Sequence, residues 1–266
     1  MPIDYREIDT ENTLEHKNVN QAVYASIVKS QGEGRKQLAV LIDPDRLRTQ
    51  SLDALIALAE QGIDFFFIGG SLLMDEKMEE CLHILRQSVS QPLVIFPGSP
   101  LQISAQAHAI LLLSLISGRN ADLLIGQHVI AAPYLKASGL EIIPTGYMLI
   151  DGGVSTTAAY MSGTQPIPPD KVEIAVCTAM AGTMLGLKML YLDAGSGAQR
   201  SVSPEMIQAV RAEIEVPLIT GGGIRTPEKA YTNLRAGADL LVVGNVLEKD
   251  PSLLTEIAAA VRSAGV

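Results

Sequence analysis

Tyr191-Leu192-Asp193-Ala194-Gly195-Ser196-Gly197 sets a phenol, a carboxylate, a hydroxyl and glycines within one short segment, and an apolar run of strand length leads into it. Thr220-Gly221-Gly222-Gly223-Ile224 and Val242-Val243-Gly244-Asn245 repeat the design downstream, each an apolar run that turns into glycine where it stops. Glycine has no Cβ, so main-chain N–H groups can close in on an anion there. Three such turns after consecutive strands can line one pocket, and phosphate is the anion such pockets commonly hold. Any one of them alone reads equally well as a tight strand-to-helix turn; together they carry the phosphate expectation. Asn245 to Glu248 can add a short helix aimed at the anion.

Tyr191 and Asp193 are separated by one residue, so on a strand they point the same way. An aspartate beside a phosphate pocket repels the ligand unless it has a task. Accepting a hydrogen bond from a substrate hydroxyl, and then its proton, is such a task. The structural alternative is a barrel-core tyrosine with a loop-capping aspartate. Upstream, Asp43 and Ser71 each follow an apolar run, Leu38 to Ile42 and Phe65 to Ile68. A carboxylate and a hydroxyl at neighbouring strand ends make a sparse oxygen site. Mg2+ accepts one when substrate phosphates and water complete its octahedron. Capping of the turn at Pro44 and of the helix near Leu72 is the alternative for this pair, and Asp45 is a weaker candidate. His16, His83, His108 and His128 show no zinc-binding spacing. No GxSxG, Walker or GxGxxG motif occurs, which removes the common hydrolase, NTPase and dinucleotide readings.

The elements that must position these residues repeat as strand then helix. A helix with apolar spacing over residues 14–30 precedes the repeat. Strands are predicted at Leu38–Ile42, Phe65–Ile68, Leu93–Phe96, Ile110–Ile116, Ile142–Ile150, Met189–Leu192, Pro217–Thr220 and Leu240–Val243. The helix after the first strand is expected to start near Ser51 as N-cap and stop at Gly62. The next places Met78, Cys81, Leu82 and Leu85 on one face. Little room remains for a third helix before Ile110, so that helix is abbreviated or replaced. Helices are expected over Leu123–Ser138 and Lys171–Leu187, with Gly182 and Gly186 marking close packing. The long loop from Asp151 to Asp170, rich in Gly, Ser, Thr and Pro, has the length of a lid or binding loop. Ser203-Pro204, Thr226-Pro227 and Asp250-Pro251 each put a capping side chain before a proline at a helix start. The pattern predicts an α/β fold, a (β/α)8 TIM barrel forming one domain over 1–266, with 1–36 an N-terminal extension and 37–266 the barrel. A doubly wound open sheet is the runner-up.

Composition narrows the partners. A hydrophobic share of 47% and a charged share of 18% over 266 residues allow a large core. The formal net charge of −9, with no basic block, argues against nucleic acid. Cys81 and Cys177 suggest no disulfide framework. The polar start has no secretory leader pattern and the longest apolar run is too short to span a bilayer, so a cytoplasmic setting is expected, with a peripheral membrane contact left open.

On YLDAGSGA, TGGGI and VVGN at these spacings, and on LIDPD, GGS and SLISGRNADLLIGQH, the chain from Leu38 to Val261 resembles the geranylgeranylglyceryl phosphate synthase family, in its longer-chain form. The resemblance implies transfer of a geranylgeranyl group from its diphosphate to the C3 hydroxyl of sn-glycerol 1-phosphate, with release of diphosphate. It implies Mg2+ on Asp43 and Ser71, and glycerol 1-phosphate on Tyr191 to Gly197, Gly222, Gly223, Gly244 and Asn245. Asp193 would take the hydroxyl proton, where the family usually has glutamate. A homo-oligomer is implied too. An apolar groove for the prenyl tail is expected along Leu101 to Leu113, and Arg46, Arg119 and Lys171 are candidate diphosphate contacts. A phosphosugar isomerase or lyase, a prenyltransferase of other chain length, and a non-catalytic phosphometabolite-binding barrel are the competing readings.

Overall fold

The computed structural model describes residues 22–46, 49–70, 77–100 and 102–265. Eight parallel strands follow one another around a closed barrel: β1 (Gln37–Ile42), β2 (Phe65–Ile68), β3 (Leu93–Ile95), β4 (Ala109–Leu115), β5 (Glu141–Leu149), β6 (Met189–Asp193), β7 (Leu218–Gly221) and β8 (Leu240–Val243). β8 pairs back onto β1, with Gln37 opposite Leu240 and Val40 opposite Val243. That closure excludes the open sheet. The helices are α1 (Ala22–Gly32), α2 (Thr49–Ala57), α3 (Lys77–Ser88), α4 (Gln127–Ser138), α5 (Thr157–Ser162), α6 (Val172–Met184), α7 (Pro204–Glu213), α8 (Pro227–Arg235), α9 (Asn245–Lys249) and α10 (Leu253–Ala264).

The period-2 alternation of a strand sorts side chains into two layers. On β6, Met189 and Tyr191 point into the barrel with Phe65, Phe67 and Ile219, whereas Leu190 and Leu192 face the helices. α1 lies across the N-terminal ends of the strands. Its Val23 and Ile27 join the inner layer, and the buried Glu141 at the start of β5 accepts the Val23 and Tyr24 N–H groups at 2.9 and 3.0 Å. Orphan donors at a helix start are thereby satisfied. That end of the barrel is closed.

Among the described residues, no helix separates β3 from β4. A strap runs there instead, tied to α3 by Glu79, which accepts from Ser104 Oγ at 2.9 Å and Gln106 Nε2 at 2.6 Å. The predicted long loop holds α5 and a parallel bridge between Ile150 and Ile167. Met78, Cys81, Leu82 and Leu85 are the buried face of α3. Ser203 and Thr226 cap α7 and α8, accepting from Met206 N and Lys229 N.

Three local expectations are corrected. Ser51 lies inside α2, which begins at Thr49. Asp250 does not cap α10; its Oδ1 accepts from Ser252 N in the preceding turn, and the helix starts at Leu253. Gly186 serves a turn at φ +85°, with open space at its Cβ position, and only Gly182 packs closely, against Ile116 and Leu190. The helix expected over Leu123–Ser138 is present, and its first turn, Asp122–Gly126, is π-helical. Residues 14–21 of the expected N-terminal helix, and Ser71, lie outside the described residues.

Candidate active site

Each glycine segment ends a strand on the same rim. Gly195, Gly197, Gly222 and Gly223 have φ of +88°, +80°, +78° and +68°, a region L side chains rarely adopt. Close approach adds a second requirement at Gly222. A Cβ there would stand 2.6 Å from the Gly195 nitrogen and 2.8 Å from Asp193 Oδ1. The loops after β6 and β7 therefore touch. Ser196 Oγ meets Asn245 Oδ1 at 3.0 Å, tying the loop after β6 to the start of α9. The three segments thus converge on one cavity of about 630 Å3 at the C-terminal ends of the strands.

Asp193, the last residue of β6, is only 6% exposed and lines this cavity. Its Oδ1 accepts the Gly195 N–H at 2.7 Å, and its Oδ2 accepts the Tyr147 hydroxyl at 2.5 Å. Burial raises the carboxyl above its usual range, and these two bonds pull it partly back. Tyr191 also lines the cavity, and burial, reinforced by the Asp193 charge, keeps both Tyr191 and Tyr147 protonated. Leu192 and Ala194, expected in the same site, turn their side chains into the helix-facing layer and offer only main chain.

Asp43 lines the opposite wall, at the end of β1. Its Oδ2 meets Arg46 Nε at 3.2 Å and its Oδ1 accepts Asp45 N–H at 3.1 Å. Burial raises its carboxyl, opposed by that N–H and by Arg46. Of the basic candidates, only Arg46 reaches the cavity. Arg119 Nη1 donates to the carbonyl of Gly118 at 2.8 Å, and Lys171 pairs with Asp170 at 3.8 Å. The sequence reading passed over Arg225, which lines the cavity while donating to the Ala198 carbonyl at 2.7 Å.

It also missed Phe96 and Tyr147. With Tyr191 they form a ring cluster with centroids 5.5 to 5.8 Å apart. The pairing of Tyr147 with Tyr191 across β5 and β6 brings the two phenols together. Phe96, Tyr147, Gly70 and Ala158 also line a second, apolar cavity of about 390 Å3. It runs along β4 and beneath α4, past Ile103, Leu112 and Leu135. The missing helix between β3 and β4 leaves the room for it. Within the segment expected to form a groove, Ile103 and Ile110 to Leu113 line this cavity, while Leu101 lies outside the described residues; the cavity meets the polar one at Phe96 and Tyr147.

Comparison with known proteins bears on this two-part site. A sequence profile of the PcrB family matches residues 33–261. A geranylgeranylglyceryl phosphate synthase of Spirosoma linguale is 57% identical over 230 residues, covering 86% of this chain and 92% of its own. One from Chitinophaga pinensis is 50% identical over 247 residues, covering 92% of this chain and 98% of its own. The crystal structure of (S)-3-O-geranylgeranylglyceryl phosphate synthase from Thermoplasma acidophilum, in complex with its substrate sn-glycerol-1-phosphate, superposes with a TM-score of 0.85 at 32% identity, covering 91% of this chain and 98% of that one. With matches of this extent, the chain belongs to the PcrB family, the family of the geranylgeranylglyceryl phosphate synthases it resembles.

Proposed function

We propose that this protein joins geranylgeranyl diphosphate to the C3 hydroxyl of sn-glycerol 1-phosphate, forming the ether bond of a geranylgeranylglyceryl phosphate for phospholipid synthesis. The observation that carries this reading is the junction of a glycine-cradled polar cavity with an apolar groove at Phe96 and Tyr147. One half suits a phosphorylated triol and the other a hydrocarbon chain. A phosphosugar isomerase has no use for the second half.

Glycerol 1-phosphate would place its phosphate against the main chain of Gly195 to Gly197, Gly222, Gly223 and Gly244, with Asn245 beside it, and Arg225 supplies a positive charge to the same cavity. That leaves the C3 hydroxyl toward Asp193. In the reaction the bond from prenyl C1 to the diphosphate oxygen breaks and its electron pair leaves with diphosphate. Glycerol O3 bonds C1, and the O3 proton passes to Asp193. An allylic group leaves readily, so a modest carboxylate base suffices once the nucleophile is positioned.

The donor chemistry at β1 fits Mg2+: hard carboxylate oxygens of Asp43, next to Asp45, in a spot where burial already disfavours a bare negative charge. Asp43, with Ser71, would hold the ion, which when bound neutralises the charge growing on the departing diphosphate. Arg46 flanks the same wall. We read the enzyme as cytoplasmic, meeting the membrane peripherally at most; no helix among the described residues is long and apolar enough to cross one. A homo-oligomer is proposed as well, supported by exposed Val129, Ile130 and Tyr134 on α4.

Incubating the pure protein with labelled glycerol 1-phosphate and a series of prenyl diphosphates, with Mg2+ or EDTA, tests the reading. Ether-linked product with the C20 donor, lost in EDTA, is expected. Turnover of a phosphosugar without metal would replace the proposal with an isomerase, and binding of glycerol phosphate without any product would reduce the protein to a phosphometabolite-binding barrel.

A further inference from the structure

We infer that Tyr147 is a positioning residue for Asp193, fixing the carboxylate through its hydroxyl while its ring forms part of the wall of the apolar groove. The inference rests on the reading of Asp193 as proton acceptor and adds a residue that no glycine or acidic motif marks. Three observations carry it. The Tyr147 Oη to Asp193 Oδ2 distance of 2.5 Å is that of a short charge-assisted bond, and the phenol donates because the carboxylate can only accept. Gly195 N–H holds the other oxygen at 2.7 Å, so the carboxylate plane is fixed at both ends. Tyr147 is shared by both cavities, unlike Tyr191, which lines only the polar one.

The consequence is a coupling between groove and base. A prenyl chain seated in the groove packs on the Tyr147 ring, and the ring's hydroxyl sets the direction in which Asp193 offers its remaining lone pairs. The hydroxyl also stabilises the ionised carboxylate against the burial that favours protonation. The other ionisable groups bordering the cavity are Tyr191 on β6, Asp43, Asp45 and Arg46 after β1, and Arg225 after β7. The hydrogen bonds that hold the Asp193 carboxylate come from Tyr147 and Gly195.

The test is steady-state kinetics of Tyr147→Phe over a pH series, with glycerol 1-phosphate binding followed by calorimetry. Phenylalanine keeps the ring and removes only the donor. kcat should fall on the order of 10- to 100-fold, the loss of one hydrogen bond to a charged group, with the affinity for glycerol 1-phosphate changed by no more than a few-fold. The acid limb of the kcat profile should move to higher pH, because Asp193 without its donor holds a proton more tightly. A 3-fluorotyrosine at position 147, a stronger donor, should move that limb to lower pH, and it serves in place of the phenylalanine variant if that one does not fold. Asp193→Asn is the control for the underlying reading. If Asp193→Asn retains full kcat, the proton-acceptor role falls and the Tyr147 inference with it. If Asp193→Asn is inactive while both Tyr147 variants keep the parent kcat and acid limb, Asp193 stands and Tyr147 is only packing.

Discussion

Both oxygens of Asp193 are already engaged, so a substrate hydroxyl can approach only along the lone pairs that Tyr147 and Gly195 leave open. Asp193→Asn keeps the shape and abolishes the base. Its kcat should drop by about 10²- to 10⁴-fold, the usual range for a positioned general base, while calorimetry still registers glycerol 1-phosphate. Because burial raises this carboxyl, the parent loses its base form as pH falls through a value above the ordinary aspartate near 4. The acid limb of kcat should therefore lie above that value in the parent and vanish from the residual activity of the asparagine variant. Gly222→Ala attacks binding instead. Its new Cβ would meet Gly195 N at 2.6 Å at a φ of +78°, so the loops after β6 and β7 must separate. Strain of about 1–3 kcal/mol is expected, read as a 10- to 100-fold weaker glycerol 1-phosphate affinity with little change in which prenyl donor is preferred.

At the scale of elements, the strap between β3 and β4 decides which donor fits. Replacing a barrel helix with an extended segment tied to Glu79 uncovers the outside of β4, and that surface becomes the groove wall. Ile103, on the strap, lines the groove and is only partly buried against the outer core layer, so added bulk there shortens the groove. Ile103→Trp should shift the preferred donor to a shorter prenyl diphosphate, measured by product distribution from a mixture of chain lengths. An unchanged distribution would detach the groove from the tail. The groove was legible in the sequence as missing residues between Phe96 and Ile110, too few for a helix. The bounds of β2 and β8 were legible because unbroken apolar runs end at glycine, and the starts of α7 and α8 because a capping hydroxyl precedes proline. Asp250 has the same local signature, yet Pro251 sits in a turn ahead of α10. Tyr147 was hidden for a different reason. Its task depends on register, the pairing with Tyr191 and the contact with Asp193 across 46 positions, and no local pattern encodes that.

For the molecule as a whole, the two ends of the barrel have opposite characters. α1 packs over the strand N-termini through Val23, Ile27 and the Glu141 cap, and both described cavities open at the other rim. Beside that rim, α4 covers the groove with one face and bares an apolar one with the other: Val129 is 66% exposed and Tyr134 63%. Apolar side chains clustered on a surface helix mark a contact surface more often than a solvated one. In the proposed oligomer a second copy covers this face, and the groove roof is then braced from outside. Val129→Glu combined with Tyr134→Glu should shift the mass measured by light scattering toward the monomer. It should also weaken preference for the C20 donor, because an unbraced α4 defines the groove less tightly. Vesicle sedimentation separates the other occupant. If the parent is monomeric and pellets with vesicles while the double variant does not, the face docks on lipid and the oligomer is excluded; if mass and pelleting are both unaffected, the face contacts neither.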